Sequence, residues 1–339
     1  MRILYIIPAL EQGGAETHLI NLANEISKLG HDVTIASTGG SLEKNLSPEI
    51  KLIHAQVERK NLFTGIYAAI KLSRYEFDII HAHSRVPAWI SWIISGIRRR
   101  RVKWLMTAHA MYSLNFGIEP FKHADGVICV SEAVKSHLKN YLPDNVIVIP
   151  NGIKISGVKN SPSNENKFLF VGRLTRLKKV DVILNALSGL KNFDWSLNII
   201  GDGAQRNELE NLSRELEIND RVKFLGGMQK SDVENYMSNS DCLLFPSSSE
   251  GMGLAVLEAV SMKLPVIASD IEALREISSK ELSSGLIEAG NVEKWREAIK
   301  NFILEKKSSE FNPDCIISIS EMAARTEDFY KKLISYKKI

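Results

Sequence analysis

The chain has 339 residues, of which 44% are hydrophobic and 24% charged, and its formal net charge at pH 7 is +3. This length is too great for one ordinary core and predicts two domains, and the composition is that of a soluble globular protein. No apolar stretch is long enough to span a bilayer, so the sequence excludes a membrane-spanning class.

Strand-like segments alternate with helical ones through the first half, which predicts a parallel sheet with crossover helices. The expected strands cover 3–7, 33–37, 51–55, 78–82, 102–107, 127–130 and 146–149, and the expected helices include 16–29, 62–74 and 132–140. After the first strand, Gly13 and Gly14 precede a helix, where an anion can approach the backbone. The pattern is not Gly-x-Gly-x-x-Gly, and a glycine turn at a helix start is common.

Three histidines lie near the ends of expected strands: His81, His83 and His109. His81 falls inside its strand and is expected to be structural. His109 follows its strand, at the edge of the sheet where α/β proteins bind ligands, which favours a role as an acid, base or sugar contact.

An apolar segment at 89–94, containing two tryptophans, is followed by the basic run Arg98-Arg99-Arg100-Arg101. The segment from Trp89 to Arg101 fits an anionic membrane surface, and it fits equally an amphipathic core helix followed by a solvated basic turn. No aromatic platform motif accompanies the charge, so nucleic acid is not an expected partner.

Residues 154–166 lose the apolar pattern and are expected to link a first domain, 1–153, to a second, 167–318. The second domain repeats the alternation, with strands expected at 167–171, 196–200, 222–225, 242–245, 266–268 and 285–287. A terminal helix within 319–339 has no strand after it and is expected to pack back on the first domain.

Arg173 and Lys178 follow the first strand of the second domain, where two cations can converge on a diphosphate leaving group. A basic surface loop is the alternative interpretation. The chain has no Asp-x-Asp, so we expect the cations to replace a metal ion and expect no cofactor.

The strand expected at 242–245 is followed, within residues 247–270, by a loop that contains Gly251 and Gly253, then a helix and a second strand. The helix start can hold a phosphate through its backbone N–H groups, and the carboxylates of Glu250 and Glu258 can accept hydrogen bonds from hydroxyls. A nucleotide sugar satisfies both. The alternative is a solvated loop residue at Glu250 and a capping or ion-pair residue at Glu258.

The three cysteines, Cys129, Cys242 and Cys315, are widely spaced and have no zinc-site pattern. This spacing favours reduced thiols and a cytoplasmic location.

The segment from Glu250 to Glu258 resembles the Glu-x7-Glu motif of the retaining GT-B glycosyltransferases of family 4. Further segments agree with the family in order across nearly the whole chain, namely Gly13-Gly14-Ala-Glu16, His81-Ala-His83, His109, Ser131-Glu132-Ala-Val, Pro150-Asn151-Gly152-Ile153, Gly172-Arg173-Leu with Lys178, Gly201-Asp202-Gly203, Phe224-Leu-Gly226 and Pro265-Val. The resemblance implies a GT-B fold, in which two Rossmann-like doubly wound domains face each other across a cleft.

The resemblance also implies roles for individual residues. Arg173 and Lys178 would neutralise the departing diphosphate, Glu250 would hold the donor sugar and Glu258 the ribose, and His109 would contact the sugar near its reacting carbon. Backbone N–H groups near Gly13 and Gly14 and at Met252, Gly253 and Leu254 would add to the phosphate site, and the loop at Gly226 would hold the base. One departure is visible, because the family usually has Lys-Gly where this chain has Lys178-Lys179.

The expected function is therefore metal-independent transfer of a sugar from a UDP- or GDP-sugar to a hydroxyl, with retention. A lipid-linked saccharide of a bacterial surface polysaccharide is a plausible acceptor, reached at the inner face of the cell membrane. Three alternatives stay open: a nucleotide-sugar epimerase, a phosphorylase on a similar scaffold, and a nucleotide-sugar-binding subunit without activity.

Overall fold

The structure, a computed structural model, describes residues 1–58, 61–98, 101–154, 163, 165–278 and 285–335. It contains two compact units, one formed by Met1–Gly152 with the segment from Ile317 onward and the other by Ile153–Ile316. Most of the expected linker, 155–162 and 164, lies outside the described residues, as do Arg99, Arg100 and the last four residues of the expected terminal segment.

Within the described residues, the first unit has a seven-stranded parallel sheet with the order β3-β2-β1-β4-β5-β6-β7. The strands are β1 (Arg2–Ile6), β2 (Asp32–Ser37), β3 (Lys51–His54), β4 (Ile79–Ala82), β5 (Lys103–Ala108), β6 (Gly126–Cys129) and β7 (Val146–Val148), and the helices between them are α1 (Gly14–Lys28), α2 (Leu62–Leu72), α3 (Arg85–Ile97) and α4 (Glu132–Leu138).

The second unit has a six-stranded parallel sheet in the described chain, with the order β10-β9-β8-β11-β12-β13. Its strands are β8 (Lys167–Val171), β9 (Ser196–Ile200), β10 (Val222–Gly226), β11 (Cys242–Phe245), β12 (Val266–Ser269) and β13 (Leu286–Ile287), and its helices are α5 (Val180–Ser188), α6 (Arg206–Glu215), α7 (Lys230–Ser238), α8 (Leu254–Ser261), α9 (Glu272–Arg275) and α10 (Val292–Glu305). In both sheets the strand order reverses direction beside the first strand of the unit, as in doubly wound folds.

The central strands are buried on both faces, which explains their continuous apolar sequences. All four residues of β4 and all four of β11 are buried. The predicted fold class, two doubly wound α/β sheets, is confirmed, and every expected strand is present with ends shifted by no more than about two residues. The ends of the expected helices also shift by no more than about two residues: α1 begins at Gly14 rather than at residue 16, α2 ends at Leu72 rather than at residue 74, and α4 ends at Leu138 rather than at residue 140.

The terminal helix α11 (Ile319–Ser335) belongs to the core of the first unit. Met322, Phe329 and Leu333 lie in the same hydrophobic cluster as the apolar residues of α1 and β1. Phe329 packs so closely on the start of β6 that a Cβ at Gly126 would lie 2.7 Å from its Cζ atom. Glycine at this position therefore lets the helix close on the sheet.

Helix α2 exposes several large apolar side chains, although Leu72 at its end is buried. Phe63 is 81% exposed and Tyr67 70% exposed, whereas the residues that face inward include Ala68 and Ala69. In contrast, Trp89 and Trp92 of α3 are half-buried, and they pack on Phe116 and His123 respectively. None of the helices in the described chain is both long enough and apolar enough to cross a membrane.

Candidate active site

The loop after β8 packs against the backbone of the loop that follows β9. A Cβ at Gly201 would lie 2.0 Å from the carbonyl oxygen of Gly172, and a Cβ at Gly203 would lie 2.3 Å from that of Leu174. Only glycine permits this approach, so the Gly-Asp-Gly segment holds the loop that presents Arg173. Arg173 is exposed and forms no ion pair with the residues that the structure describes.

Lys178 and Lys179 take different roles in this loop. The Nζ atom of Lys178 forms an ion pair with Oε1 of Glu250 and lies 5.4 Å from the centre of the Phe245 ring. Lys179 instead has φ +51° and ψ +37°, the left-handed conformation that favours glycine, immediately before α5. The structure therefore directs Lys178 toward the glutamate, and Lys179 occupies the backbone position where a Lys-Gly pattern has its glycine.

The start of α8 follows the loop that carries Glu250, the partner of Lys178. Gly253 has φ +77°, and a Cβ there would lie 2.8 Å from Cδ2 of Leu274, so the turn requires glycine. In the described chain, the N–H groups of Gly253, Leu254 and Ala255 donate to no backbone acceptor. They are available to an anion at the positive end of the helix dipole, and the neighbouring Met252 is buried.

Glu258 lies one turn into α8 and forms an ion pair with Lys230, the first residue of α7. The ion-pair role that the sequence left open for Glu258 is therefore present. Lys230 was missed because its partner is 28 residues away on another helix. One feature of the sequence could have pointed to Lys230: it lies just after the loop at Gly226, which was expected to bind the base.

Gly226 ends β10 with φ +74°, and its carbonyl accepts a hydrogen bond of 2.8 Å from the N–H of Gly201. The pairing of β10 with β9 shifts by one residue at this point. The loop that the sequence predicts to hold the base thus begins where the strand leaves the sheet.

In the first unit, Gly13 is the N-cap of α1 and Gly14 its first residue. The backbone of Gly13 is extended, with φ −179°, so neither a left-handed conformation nor a tight turn requires this glycine. Gly14 is exposed at the helix start. Any anion here would meet the dipole of a 15-residue helix.

His109 belongs to a group of three histidines in the first unit. His83 follows β4, His109 follows β5, and His18 lies on α1. Nδ1 of His83 and Nε2 of His109 are 3.0 Å apart, and the ring of His18 meets that of His109 edge-on with centroids 4.8 Å apart. Of all the histidine, cysteine and acidic residues that the structure describes, these three form the one group placed to hold a metal ion.

Burial keeps these imidazoles neutral. It lowers the pKa of His18 to about 4, against an opposing contact with Asn151, and it lowers the pKa values of His83 and His109 well below the usual range, with further lowering by neighbouring histidines. One proton is therefore shared by the His83–His109 hydrogen bond.

An unpaired ring nitrogen of His83 indicates where that proton lies. Nε2 of His83 is buried and has no hydrogen-bond partner. An unpaired N–H group is rarer in protein interiors than an unpaired acceptor, so the favoured tautomer has the proton on Nδ1 of His83, which donates to Nε2 of His109. His109 then carries its own proton on Nδ1, and this N–H group can donate a hydrogen bond.

His81 is a structural residue, as its position within a strand predicts. It is fully buried, and hydrogen bonds link its Nδ1 to the Tyr330 hydroxyl at 2.6 Å and its Nε2 to the Thr107 hydroxyl at 2.7 Å. The Tyr330 hydroxyl is also 3.0 Å from that of Tyr5. This network ties α11 to three strands of the first sheet.

Comparison with known proteins identifies two adjoining family matches. The family model described as "Glycosyltransferase Family 4" matches residues 12–156, and the one described as "Glycosyl transferases group 1" matches residues 153–312. One relative is the alpha-monoglucosyldiacylglycerol synthase of Streptococcus pneumoniae, 26% identical over 319 residues that cover 80% of this chain and 71% of the synthase.

Two solved structures have the same architecture. A glycosyltransferase from Rickettsia africae is similar with a TM-score of 0.82 and 25% identity, covering 99% of both chains. An Anabaena protein crystallised with UDP and glucose has a TM-score of 0.83 and 20% identity, covering 98% of this chain and 99% of its own.

Proposed function

Because the chain belongs to the group 1, family 4 glycosyltransferases, we propose that it moves a sugar from a nucleoside diphosphate to an acceptor hydroxyl with retention at the anomeric carbon. The observation that carries this proposal is the set of charges in the second unit. Two loops that follow strands of the same sheet carry these charges. They hold Arg173, the ion pair of Lys178 with Glu250, and the N–H groups at the start of α8.

The charge balance of these groups suits a diphosphate. Lys178 is paired with Glu250 and Lys230 with Glu258, which leaves Arg173 as an uncompensated cation among the five. Arg173 and the helix start would bind the diphosphate, and Lys178 would be shared between Glu250 and a phosphate oxygen. No divalent ion is needed in this scheme.

The carboxylates would hold hydroxyl groups on either side of the diphosphate. Glu250, close to Lys178, would accept from the donor sugar, and Glu258 would accept from the ribose while Lys230 keeps it ionised and oriented. The loop at Gly226 would hold the base. The Anabaena neighbour with bound UDP supports a nucleotide of this kind only through its shared fold.

His109 would serve as a hydrogen-bond donor to the sugar and not as a general base. Its favoured tautomer presents an Nδ1–H group, and the pKa is held too low for the ring to gain a proton near pH 7. The acceptor's proton would pass to the leaving phosphate oxygen, which requires no dedicated base and is compatible with attack on the face that the diphosphate leaves.

The acceptor is proposed to be a lipid-linked saccharide or a glycolipid, at the cytoplasmic face of a membrane. One family relative is a diacylglycerol glycolipid synthase. The exposed apolar residues of α2, Phe63 and Tyr67, would contact lipid, with Arg98 and Arg101 providing the attraction to anionic headgroups. Trp89 and Trp92 of α3 are half-buried and pack on Phe116 and His123, so they are less available to lipid than the side chains of α2.

The test is release of nucleoside diphosphate from UDP- and GDP-sugars, with and without extracts that contain acceptors, in the presence of EDTA. We expect acceptor-dependent release that falls at least tenfold in Arg173→Ala and Glu250→Ala. Unchanged turnover in both variants would refute the site assignment. Release that requires inorganic phosphate would indicate a phosphorylase, and conversion of the donor without nucleotide release an epimerase.

A further inference from the structure

The three histidines of the first unit have converging ring nitrogens. One ring nitrogen from each of His18, His83 and His109 lies within 4.8 Å of those of the other two. They come from α1 and from the ends of β4 and β5, so one helix and two strands of the first unit fix their positions.

The ring nitrogens of His18 lack the hydrogen bonds that buried polar atoms normally have. His18 is 4% exposed and His83 1% exposed. Neither ring nitrogen of His18 has a partner within hydrogen-bond geometry, although the side chain of Asn151 contacts the ring. A buried polar atom without a partner is costly, so each one calls for an explanation. His81, in contrast, uses both of its nitrogens and is not available.

We propose that His18, His83 and His109 form a binding site for one transition-metal dication, with Zn²⁺ as the best match. Zinc sites take imidazole nitrogens at 2.0–2.1 Å, which places ligand nitrogens about 3.3 Å apart in a tetrahedron. The His83–His109 pair is already 3.0 Å apart, and the widest spacing must close by roughly 1.5 Å, which side-chain rotation can supply.

The ligand set decides which ions fit. Neutral imidazoles suit Zn²⁺, Cu²⁺, Ni²⁺ and Co²⁺, whereas Mg²⁺ and Ca²⁺ require oxygen ligands. Three protein ligands leave the fourth position for water, as in other three-histidine zinc sites. The shared proton of the His83–His109 bond would move to Nε2 of His83, which frees the Nδ1 lone pair for the metal without any net loss of protons.

The consequence for catalysis rests on the proposed function. If His109 contacts the sugar near its reacting carbon, a dication on the same ring lies close to the centre that develops positive charge in the transition state. Like charges disfavour that state, so the ion would inhibit sugar transfer. The site would thus be inhibitory, and it shares no residue with the diphosphate site proposed in the second unit.

The binding test uses the full chain without a histidine tag, because a tag would itself bind metal. Co²⁺ is added and the visible spectrum recorded, and Zn²⁺ is titrated against a chromogenic chelator. We expect one ion per chain, an intense cobalt band typical of tetrahedral coordination, and a loss of Zn²⁺ affinity of at least ~100-fold in His18→Gln. The matched control is His54→Gln, a histidine on the surface of the same unit whose loss should leave the stoichiometry and affinity unchanged.

Circular dichroism and thermal unfolding establish whether His18→Gln is folded, and His83→Gln replaces it if it is not. No cobalt band in the wild type, or Zn²⁺ affinity that is equal in the wild type and the folded variant, would overturn the proposal. An activity assay adds a separate result. If Zn²⁺ binds to the three histidines yet transfer is not inhibited, the metal site stands and the proposed placement of the sugar beside His109 is wrong.

Discussion

Lys178 and Glu250 form a pair whose side chains are 20% and 12% exposed, so water screens their charges only partly. Removing either partner alone leaves the other as an uncompensated charge beside the expected diphosphate. The energetic role of Lys178 therefore has two components, attraction of the phosphate and neutralisation of Glu250.

A double-mutant comparison separates these components. We expect Lys178→Ala to weaken binding of UDP or GDP at least tenfold, because a bare Glu250 then repels the phosphate. Lys178→Ala combined with Glu250→Gln should bind nucleotide more tightly than Lys178→Ala alone. Isothermal titration calorimetry of the wild type, Lys178→Ala, Glu250→Gln and the double variant measures the effect, and strictly additive changes would show that the pair has no coupled role.

Lys179 carries backbone strain at the position before α5. A left-handed conformation costs a residue with a Cβ about 1–2 kcal/mol, and glycine relieves that cost while adding some entropy to the unfolded chain. We predict that Lys179→Gly raises the free energy of unfolding by about 0.5–1 kcal/mol.

Urea unfolding measures this gain, and Lys179→Ala is the matched control. Alanine removes the same charge but keeps the Cβ, so it should give no stabilisation. Equal stabilisation by both variants would point to charge repulsion between Lys178 and Lys179 in place of strain.

Motif spacing predicted Glu250 and Glu258, and the structure places both beside lysines. Lys230 and His18 could not be found in this way, because each acquires its importance from a contact with a residue far along the chain. Short-range pattern carries no information about such contacts. The position of Lys179 was a visible departure from the family pattern, but its strain is known only from the backbone angles.

At the scale of elements, the strands were predicted closely because parallel strands buried on both faces have continuous apolar sequences. It was harder to predict which face of each helix is buried. The apolar residues of α3 are mostly turned inward, whereas α2 turns Phe63 and Tyr67 outward and fills its inward positions with Ala68, Ala69 and Leu72. Hydrophobicity alone cannot tell which face of an apolar helix is covered.

The exposed face of α2 gives a prediction about membranes. Replacing Phe63 and Tyr67 by serine should reduce pelleting of the protein with vesicles that contain anionic lipid, since each large side chain contributes about 1–3 kcal/mol when it is buried in lipid. Thermal stability should hardly change, because both side chains are already exposed.

A charge variant, Arg98→Gln with Arg101→Gln, tests the electrostatic part and should lose binding only to anionic vesicles. Equal pelleting of the wild type and the serine variant would contradict a role for α2. In that case the Trp89 to Arg101 segment would need to be tested by itself.

At the scale of the whole molecule, the first unit is built around buried histidines and tyrosines that α11 covers. The sequence predicted a terminal helix, and its apolar residues Met322, Phe329 and Leu333 fit the core of this unit. Tyr330 was not predicted, although its hydroxyl joins the helix to His81 and Tyr5. Hydrogen bonds across roughly 250 residues or more of sequence leave no local pattern.

The buried histidines predict how stability depends on pH. The pKa of His18 is about 4 in the folded chain and about 6.5 when unfolded, so the unfolded chain binds more protons between these values. The free energy of unfolding should be constant above about pH 7 and fall as the pH drops from 6.5 toward 4, by about 3 kcal/mol for His18 alone. His81, His83 and His109, whose pKa values are also lowered, should add to the fall.

Urea unfolding between pH 4 and pH 8 measures this dependence. His18→Gln should reduce the slope below pH 6.5, and the surface variant His54→Gln should not. A stability that stays level down to pH 4.5 would show that the imidazoles are solvated or paired in a way that the structure does not contain.

The most direct test of the central claim is calorimetric titration of the purified chain with UDP and with GDP in EDTA. We expect that at least one nucleotide binds without a metal ion, that binding weakens as salt is raised, and that Arg173→Ala weakens it at least tenfold. Binding that appears only after a divalent metal is added, or equal affinity in the wild type and Arg173→Ala, would contradict it.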